Sequence, residues 1–114
     1  MTLQDVVTIV QGTVVCGEEN LTREIHLGFA SDLMSDVLTL LADDILLITG
    51  LSNIQAIRTV EMSDILQILF VRNKQPTKAM IDLAKEHGIT IITTPYSMFR
   101  TSGLLFNHGL KPVY

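Results

Sequence analysis

The sequence predicts one α/β domain built on a small, mostly parallel sheet with helices packed on it. Three observations support this prediction. The length of 114 residues fits a single hydrophobic core. Apolar residues make up 47% of the chain and charged residues only 18%, so there is ample side-chain mass to bury. Three strand, loop and helix units follow one another, which favours parallel strands with right-handed crossovers. No linker, low-complexity segment or repeat divides residues 1–114.

The N-terminal quarter predicts one helix and two strands. Thr2 and Asp5 resemble an N-cap with an acidic first turn, and apolar residues at helical spacing carry this helix to about Gly12. Residues 13–16 are short and β-branched, which is typical of a strand. Residues 23–27 alternate and predict a second, more exposed strand.

Helical periodicity returns at Ser31, which is a suitable N-cap. The apolar stripe of this helix consists of Leu33, Met34, Val37, Leu38, Leu40 and Leu41. Residues 43–44 close the helix. Residues 45–48 form an apolar run too short for a helix, as expected for a strand covered on both faces. A turn then leads into a helix over 54–60.

The same unit occurs twice more. Residues 66–71 predict a strand, and the next helix opens at 76–77 with Gly88 placed as its C-cap. Residues 89–93 predict the last strand of the series. Ser97 then caps a helix that ends at residues 107–109.

Charge and composition exclude several function classes. The formal net charge is −4 with only eight basic residues, which argues against nucleic acid binding. No apolar run reaches the roughly 18 residues of a membrane span. The first residues lack the basic and then apolar pattern of a secretory signal, so we expect a cytoplasmic protein. Cys16 is the only cysteine, which fits a reducing compartment.

The carboxyl ends of parallel strands predict a ligand site, because the following loops converge there. Its candidate residues are Thr49, Gly50, Ser52, Asn53, Arg72, Asn73, Thr93, Thr94 and Ser97. These hydrogen-bonding groups suit phosphate or carboxylate, although helix capping explains Ser52 and Ser97 equally well. Gly50 stands without further glycines or a phosphate-loop lysine, so tight triphosphate binding is not expected.

We expect no catalytic pair, metal site or cofactor. Asp32 and Asp36 are spaced to share a helix face and hold a cation, but complementing the helix dipole is the favoured interpretation. The three histidines are His26, His87 and His108, and they lie far apart in the sequence. Cys16 is expected to be a small buried hydrophobe, and Ser102 a small residue that permits close helix packing.

Four segments match one known family in order and spacing. They are residues 17–25 (GEENLTREI), 31–37 (SDLMSDV), 82–89 (DLAKEHGI) and 93–99 (TTPYSMF). By these segments the chain resembles the DRTGG domain, which also forms the N-terminal domain of HPr kinase/phosphorylase. The resemblance implies a small α/β fold similar to the N-terminal domains of Mur ligases.

The family resemblance also carries functional expectations. Such domains occur alone or beside CBS domains, phosphotransacetylase and a family of inorganic pyrophosphatases, where they are regulatory or form dimers and have no catalytic residues. The kinase activity of HPr kinase lies in a separate domain with a phosphate loop, which this chain lacks. The family shows Asp-Arg after the strand matching residues 45–49 and Thr-Gly-Gly after the next strand. Here these places hold 52–53 (SN) and 71–73 (VRN), so the signature differs while polar character persists.

Two functions follow as expectations. The first is a non-catalytic regulatory or protein-interaction domain, homodimeric, that regulates a metabolic enzyme or signalling partner. Its candidate interface residues are Tyr96, Phe99, Leu104, Leu105 and Phe106. The alternative is a small-molecule sensor that binds an anionic metabolite or adenine nucleotide at the strand ends. An enzyme is not expected.

Overall fold

Five of the six strands run parallel, and the first strand in the chain pairs antiparallel at one edge of the sheet. The computed structural model describes residues 1–114, and the strand order is β1-β5-β4-β3-β2-β6. The strands are β1 (Thr13–Cys16), β2 (Leu27–Ala30), β3 (Ile45–Thr49), β4 (Gln67–Phe70), β5 (Thr90–Thr93) and β6 (Lys111–Pro112). The helices are α1 (Leu3–Ile9), α2 (Met34–Val37), α3 (Ile54–Met62), α4 (Lys78–Glu86) and α5 (Met98–Asn107), and a 3-10 turn spans Glu18–Asn20.

Helices cover both faces of the sheet, which separates the core into two layers. Along β3, Ile45 and Leu47 pack in the layer that includes residues of α2, α3 and α4. Leu46 and Ile48 point the other way and pack with residues of α1 and α5. This alternation follows from the two-residue period of a strand. It explains why residues 45–48 of β3 are an uninterrupted run of apolar residues.

Local signals placed most elements correctly. The Thr2 hydroxyl accepts a hydrogen bond from the Asp5 backbone N–H, and the Asp5 carboxylate accepts one from the Thr2 N–H. These hydrogen bonds lower the pKa of Asp5. Gly88 follows the last turn of α4 with a φ of +70°, as its predicted C-cap role requires. Ser97 caps α5 by accepting from the Arg100 N–H.

The region between β1 and β3 differs from its prediction. The second strand begins at Leu27 rather than at residue 23, because residues before it are tied to the N-terminal segment by a bridge between Glu24 and Thr2. The predicted helix over residues 31–44 is a single turn, α2. Ser31 does not cap this helix, since its hydroxyl accepts from the Leu33 N–H and Leu33 is still extended.

The predicted apolar stripe of that helix is therefore split. Met34, Val37 and Leu40 are buried, whereas Leu33 and Leu41 are 57% and 99% exposed. Strand β6 was not predicted, because two residues are too few to show a period. It pairs parallel with β2 and lengthens the sheet at that edge. No helix in the protein combines the length and apolar content needed to cross a membrane.

Candidate functional site

The carboxyl ends of β3, β4 and β5 meet at one edge of the sheet, as predicted. These strands are parallel neighbours, with Thr49 opposite Phe70 and Phe70 opposite Thr93. The loops after them form a shared border, which we call the strand-end rim: residues 49–53, 71–75 and 93–97. All nine candidate ligand residues belong to these loops or to the strand ends beside them, but the side chains of Thr49, Thr93 and Thr94 are buried and offer almost no surface to a ligand.

Asp32 organises the β3 side of the rim. One of its carboxylate oxygens, Oδ1, accepts from the Thr49 hydroxyl at 2.8 Å and from the Gly50 N–H at 2.7 Å. The Thr49 hydroxyl in turn accepts from the Leu51 N–H at 3.1 Å. The prediction that Asp32 lies on a helix face and complements its dipole is wrong, because the residue precedes α2. Asp32 follows the end of β2, which pairs with β3, and this position could have indicated that Asp32 lies at the strand ends.

Other polar rim side chains also serve the loops themselves. The Thr94 hydroxyl donates to the Val10 carbonyl at 2.7 Å and accepts from the Tyr96 N–H at 3.2 Å. The Ser52 hydroxyl donates to the Gln75 carbonyl at 3.0 Å and so joins two rim loops. Ser52 is not the cap of α3, a role that belongs to Asn53.

The loop after β4 has an unusual backbone conformation. Arg72 and Asn73 both have a φ of +57°, a left-handed region that favours glycine. Their N–H groups donate to the carbonyls of Tyr96 and Thr94, each at 2.8 Å, which fixes the turn against the β5 loop. In the family pattern these two places hold the glycines of Thr-Gly-Gly. This chain has arginine and asparagine there, in a backbone conformation that suits glycine.

The β4 side of the rim carries exposed positive charge. The side chains of Arg72 and Lys74 are exposed. The Arg100 guanidinium lies 3.8 Å from the centre of the Tyr96 ring, a cation–π contact. Asp32 lies at the β3 side, so the rim is divided by charge and an anion would be attracted to the β4 side.

The exposed face of α5 carries two open aromatic side chains beside a groove. Phe99 and Phe106 are 91% and 62% exposed and border a groove of about 410 Å³. The sheet contributes Gly28, Ala30 and Ile48 to the groove. We call this region the α5 face.

The predicted interface residues do not all lie on this face. Leu105 is 1% exposed and packs in the core beneath α5. It therefore offers almost no surface to a partner, and we remove it from the candidate interface residues. Leu104 and Tyr96 are half-buried, and Tyr96 is covered by Arg100. Phe99 and Phe106 are the two predicted residues with open aromatic surface.

Two small residues lie between the two phenylalanines. A Cβ built on Gly103 would meet no atom within 4 Å. Glycine inside a helix is destabilising by roughly 0.5–1 kcal/mol relative to alanine, and the packing of this chain gives no reason for it. The Ser102 hydroxyl is shielded from solvent and has no hydrogen-bond partner. We call the surface over Ser102 and Gly103 the notch. Because these side chains are small, it is the part of α5 that the backbone of a second molecule can approach most closely.

The remaining reactive groups are scattered. Cys16 is buried as predicted, and burial raises the pKa of its thiol. His26 contacts the Asp44 carboxylate at 2.8 Å, at the amino ends of β2 and β3 and therefore at the opposite end of the strands from the rim. The His108 ring donates to the Leu104 carbonyl at 2.8 Å, and His87 lies 3.8 Å from Glu61. No three His, Cys, Asp or Glu side chains are grouped as metal ligands.

A mostly parallel sheet with helices on both faces defines a mixed α/β domain. The family model of the DRTGG domain matches residues 5–107. The chain belongs to the DRTGG domain family, which confirms the resemblance found from the four sequence segments.

One solved structure has a similar fold. It is the structure of the CBS and DRTGG domains of the regulatory region of Clostridium perfringens pyrophosphatase, complexed with the activator diadenosine tetraphosphate. The TM-score is 0.74 at 19% sequence identity, over 98% of this chain and 48% of that chain. This chain therefore spans about half of the structure it matches. No curated protein matches the sequence.

Proposed function

We propose that this protein is a non-catalytic regulatory domain that acts as a homodimer and regulates a metabolic enzyme or signalling partner. The observation that carries the proposal is the open α5 face, where two exposed phenylalanines flank a glycine that the monomer does not need. The regulatory role is supported by membership of the DRTGG family and by the fold shared with the regulatory region of a pyrophosphatase. Cys16 as the only cysteine fits a reducing, cytoplasmic setting.

The spacing on α5 suits a contact between two identical helices. Phe99 and Phe106 are seven residues apart, so they lie on the same side of the helix. Gly103 falls between them and allows close approach of a second backbone. In a two-fold contact each copy would place its phenylalanines beside the notch of the other. Full burial of an exposed phenylalanine stabilises an interface by about 1.5–3 kcal/mol.

Sedimentation velocity tests the dimer. The wild-type chain is expected to sediment as a dimer, and the double variant Phe99→Ser, Phe106→Ser as a monomer. Both residues are exposed, so the double variant keeps its fold. Leu41→Ser is the matched control, because Leu41 is equally open but lies on the other side of the sheet. A monomeric wild type at high concentration, or a control that also dissociates, would contradict the proposal.

A second candidate function is the sensing of an anionic small molecule, such as an adenine nucleotide, at the β4 side of the rim. It is favoured by one observation: the left-handed turn at residues 72–73 leaves the Arg72 side chain free while its backbone is fixed. The structurally similar pyrophosphatase region was solved with an adenine nucleotide activator.

Thermal-shift measurements with diadenosine tetraphosphate, ATP and acetyl phosphate test this second function. A nucleotide that binds at the rim is expected to raise the unfolding temperature of the wild type. Arg72→Gly, which suits the φ at this position, is expected to abolish the shift, whereas Lys85→Ala on α4 is expected to retain it. An equal shift in both variants, or none with any anion, would rule out the β4 side as the site.

A further inference from the structure

A second apolar surface lies on the other side of the sheet from the α5 face. Three side chains at the junction of α2 and α3 are open to solvent: Leu38 is 50%, Leu41 99% and Met62 62% exposed. Two grooves of about 540 and 360 Å³ run beside them. Both grooves are lined by Leu38 and Met62, so they adjoin each other, and we call the two together the α2–α3 surface.

The border of the α2–α3 surface is acidic. Asp43 and Asp64 line the larger groove and take part in no ion pair. Glu61 lines the smaller groove, and Nδ1 of His87 lies 3.8 Å from its carboxylate. Arg58 is the one basic residue among the groove linings. An occupant must therefore supply apolar side chains at its centre and positive charge at its edges.

A second copy of this chain does not meet these requirements. A two-fold contact through this surface would bring Asp43 and Asp64 of each copy towards the same carboxylates of the other. Like charges brought together in a desolvated interface repel each other strongly.

An amphipathic helix with a basic polar side does meet them. Such a helix places apolar side chains every three to four residues along one face, which suits a long groove between two helices. We propose that the α2–α3 surface binds a basic amphipathic helix of a partner protein. Leucine-like side chains enter the two grooves on either side of Leu38 and Met62. Lysine or arginine side chains lie over Asp43 and Asp64. Because this surface is on the opposite side of the sheet from α5, a dimer would present two such sites.

The test uses the full chain and a defined probe. The probe is a fluorescein-labelled helical peptide of leucine and lysine, with leucine at i, i+3, i+4 and i+7, and its binding is followed by fluorescence anisotropy at physiological salt. The double variant Leu41→Ser, Asp64→Asn is expected to bind this peptide at least about tenfold more weakly than wild type. Leu41 is almost fully exposed, and asparagine tolerates the φ of +57° at position 64, so this variant keeps its fold.

Matched controls separate this surface from general attraction between opposite charges. Glu18→Gln removes one carboxylate elsewhere, and Phe99→Ser removes one exposed apolar side chain on the α5 face. Both are expected to bind as wild type does. A peptide of the same composition with its leucines scrambled is expected to bind about tenfold more weakly. The proposal is overturned if the scrambled peptide binds equally or if either control loses as much affinity as the double variant.

Methyl NMR gives a position-specific readout. With labelled methionine methyl groups, the exposed Met62 signal is expected to shift on addition of the peptide, while the buried Met80 signal stays in place. An unmoved Met62 signal at saturating peptide would also overturn the proposal.

Discussion

The strand-end rim and the α5 face differ in how much of their chemistry the monomer already uses. On the rim, Thr49, Thr94, Ser52, Asn53 and Ser97 all make hydrogen bonds to their own chain. On the α5 face, Phe99 and Phe106 are open and Gly103 has no neighbour. The polar residues that suggest a ligand site by type mainly hold loops together. Phe99 and Phe106 have no such role within the monomer, and for this reason we propose that a second copy binds the α5 face.

The largest expected effect tests the structural role of the rim. Thr94→Val removes the donor to the buried Val10 carbonyl and the acceptor of the Tyr96 N–H. Leaving such groups unsatisfied lowers the free energy of unfolding by about 1–3 kcal/mol. Urea denaturation measures this loss, and Thr22→Val at an exposed position serves as the control. If Thr94→Val is as stable as wild type, the rim hydroxyls do not stabilise the fold, and the contrast drawn here between the strand-end rim and the α5 face is wrong.

A smaller effect of opposite sign is expected on the α5 face. Gly103→Ala, made in the background Phe99→Ser, Phe106→Ser, raises the free energy of unfolding by roughly 0.5–1 kcal/mol, because alanine favours the helix. Urea denaturation of the two background proteins measures the difference. A loss of stability instead would show that the monomer itself requires glycine here, and the notch would no longer point to a partner.

The smallest stability effect is expected at the turn after β4. Arg72→Gly relieves a left-handed backbone conformation but adds freedom to the unfolded chain, so the two effects nearly offset and leave stability within about 1 kcal/mol of wild type. Gly88→Ala, at a φ of +70°, is the matched contrast and is expected to destabilise, because it introduces the strain that glycine avoids. Urea denaturation that found Arg72→Gly strongly destabilised would mean that the Arg72 side chain is part of the fold.

Much of the fold was predictable because its signals are local. A hydroxyl that caps a helix, as at Thr2 and Ser97, acts within four residues, and a short apolar run such as β3 has few other outcomes in a domain of this size. The repeated strand and helix units also favour parallel neighbouring strands, and β2 to β5 are such neighbours.

The incorrect predictions concern segments whose conformation depends on contacts with residues far along the chain. The segment over 31–44 has helical periodicity, but the Asp32 carboxylate is held by Thr49 and Gly50, so residues 31–33 stay extended and α2 is reduced to one turn. Strand β6 exists only because β2 offers an open edge for pairing. Neither contact is visible in the local sequence.

The sequence predicted where the rim loops lie better than it predicted which of their side chains are free to bind a ligand. Parallel strands fix where loops converge, so all nine rim residues lie together. Which hydroxyls are free depends on partners far along the chain, such as Val10 for Thr94. The interface set contained Phe99 and Phe106, but a helical face shifts by 100° per residue, so neighbouring Leu105 points into the core.

Disulfide trapping of the variant Gly103→Cys tests the central claim most directly. Cys16 is buried and its thiol pKa is raised, so the new cysteine is the reactive one. If two copies pair through α5, mild oxidation converts most of this variant to a covalent dimer at low micromolar protein, whereas Ser35→Cys on α2 forms little covalent dimer. Equal, slow cross-linking of both variants would contradict pairing through the α5 face.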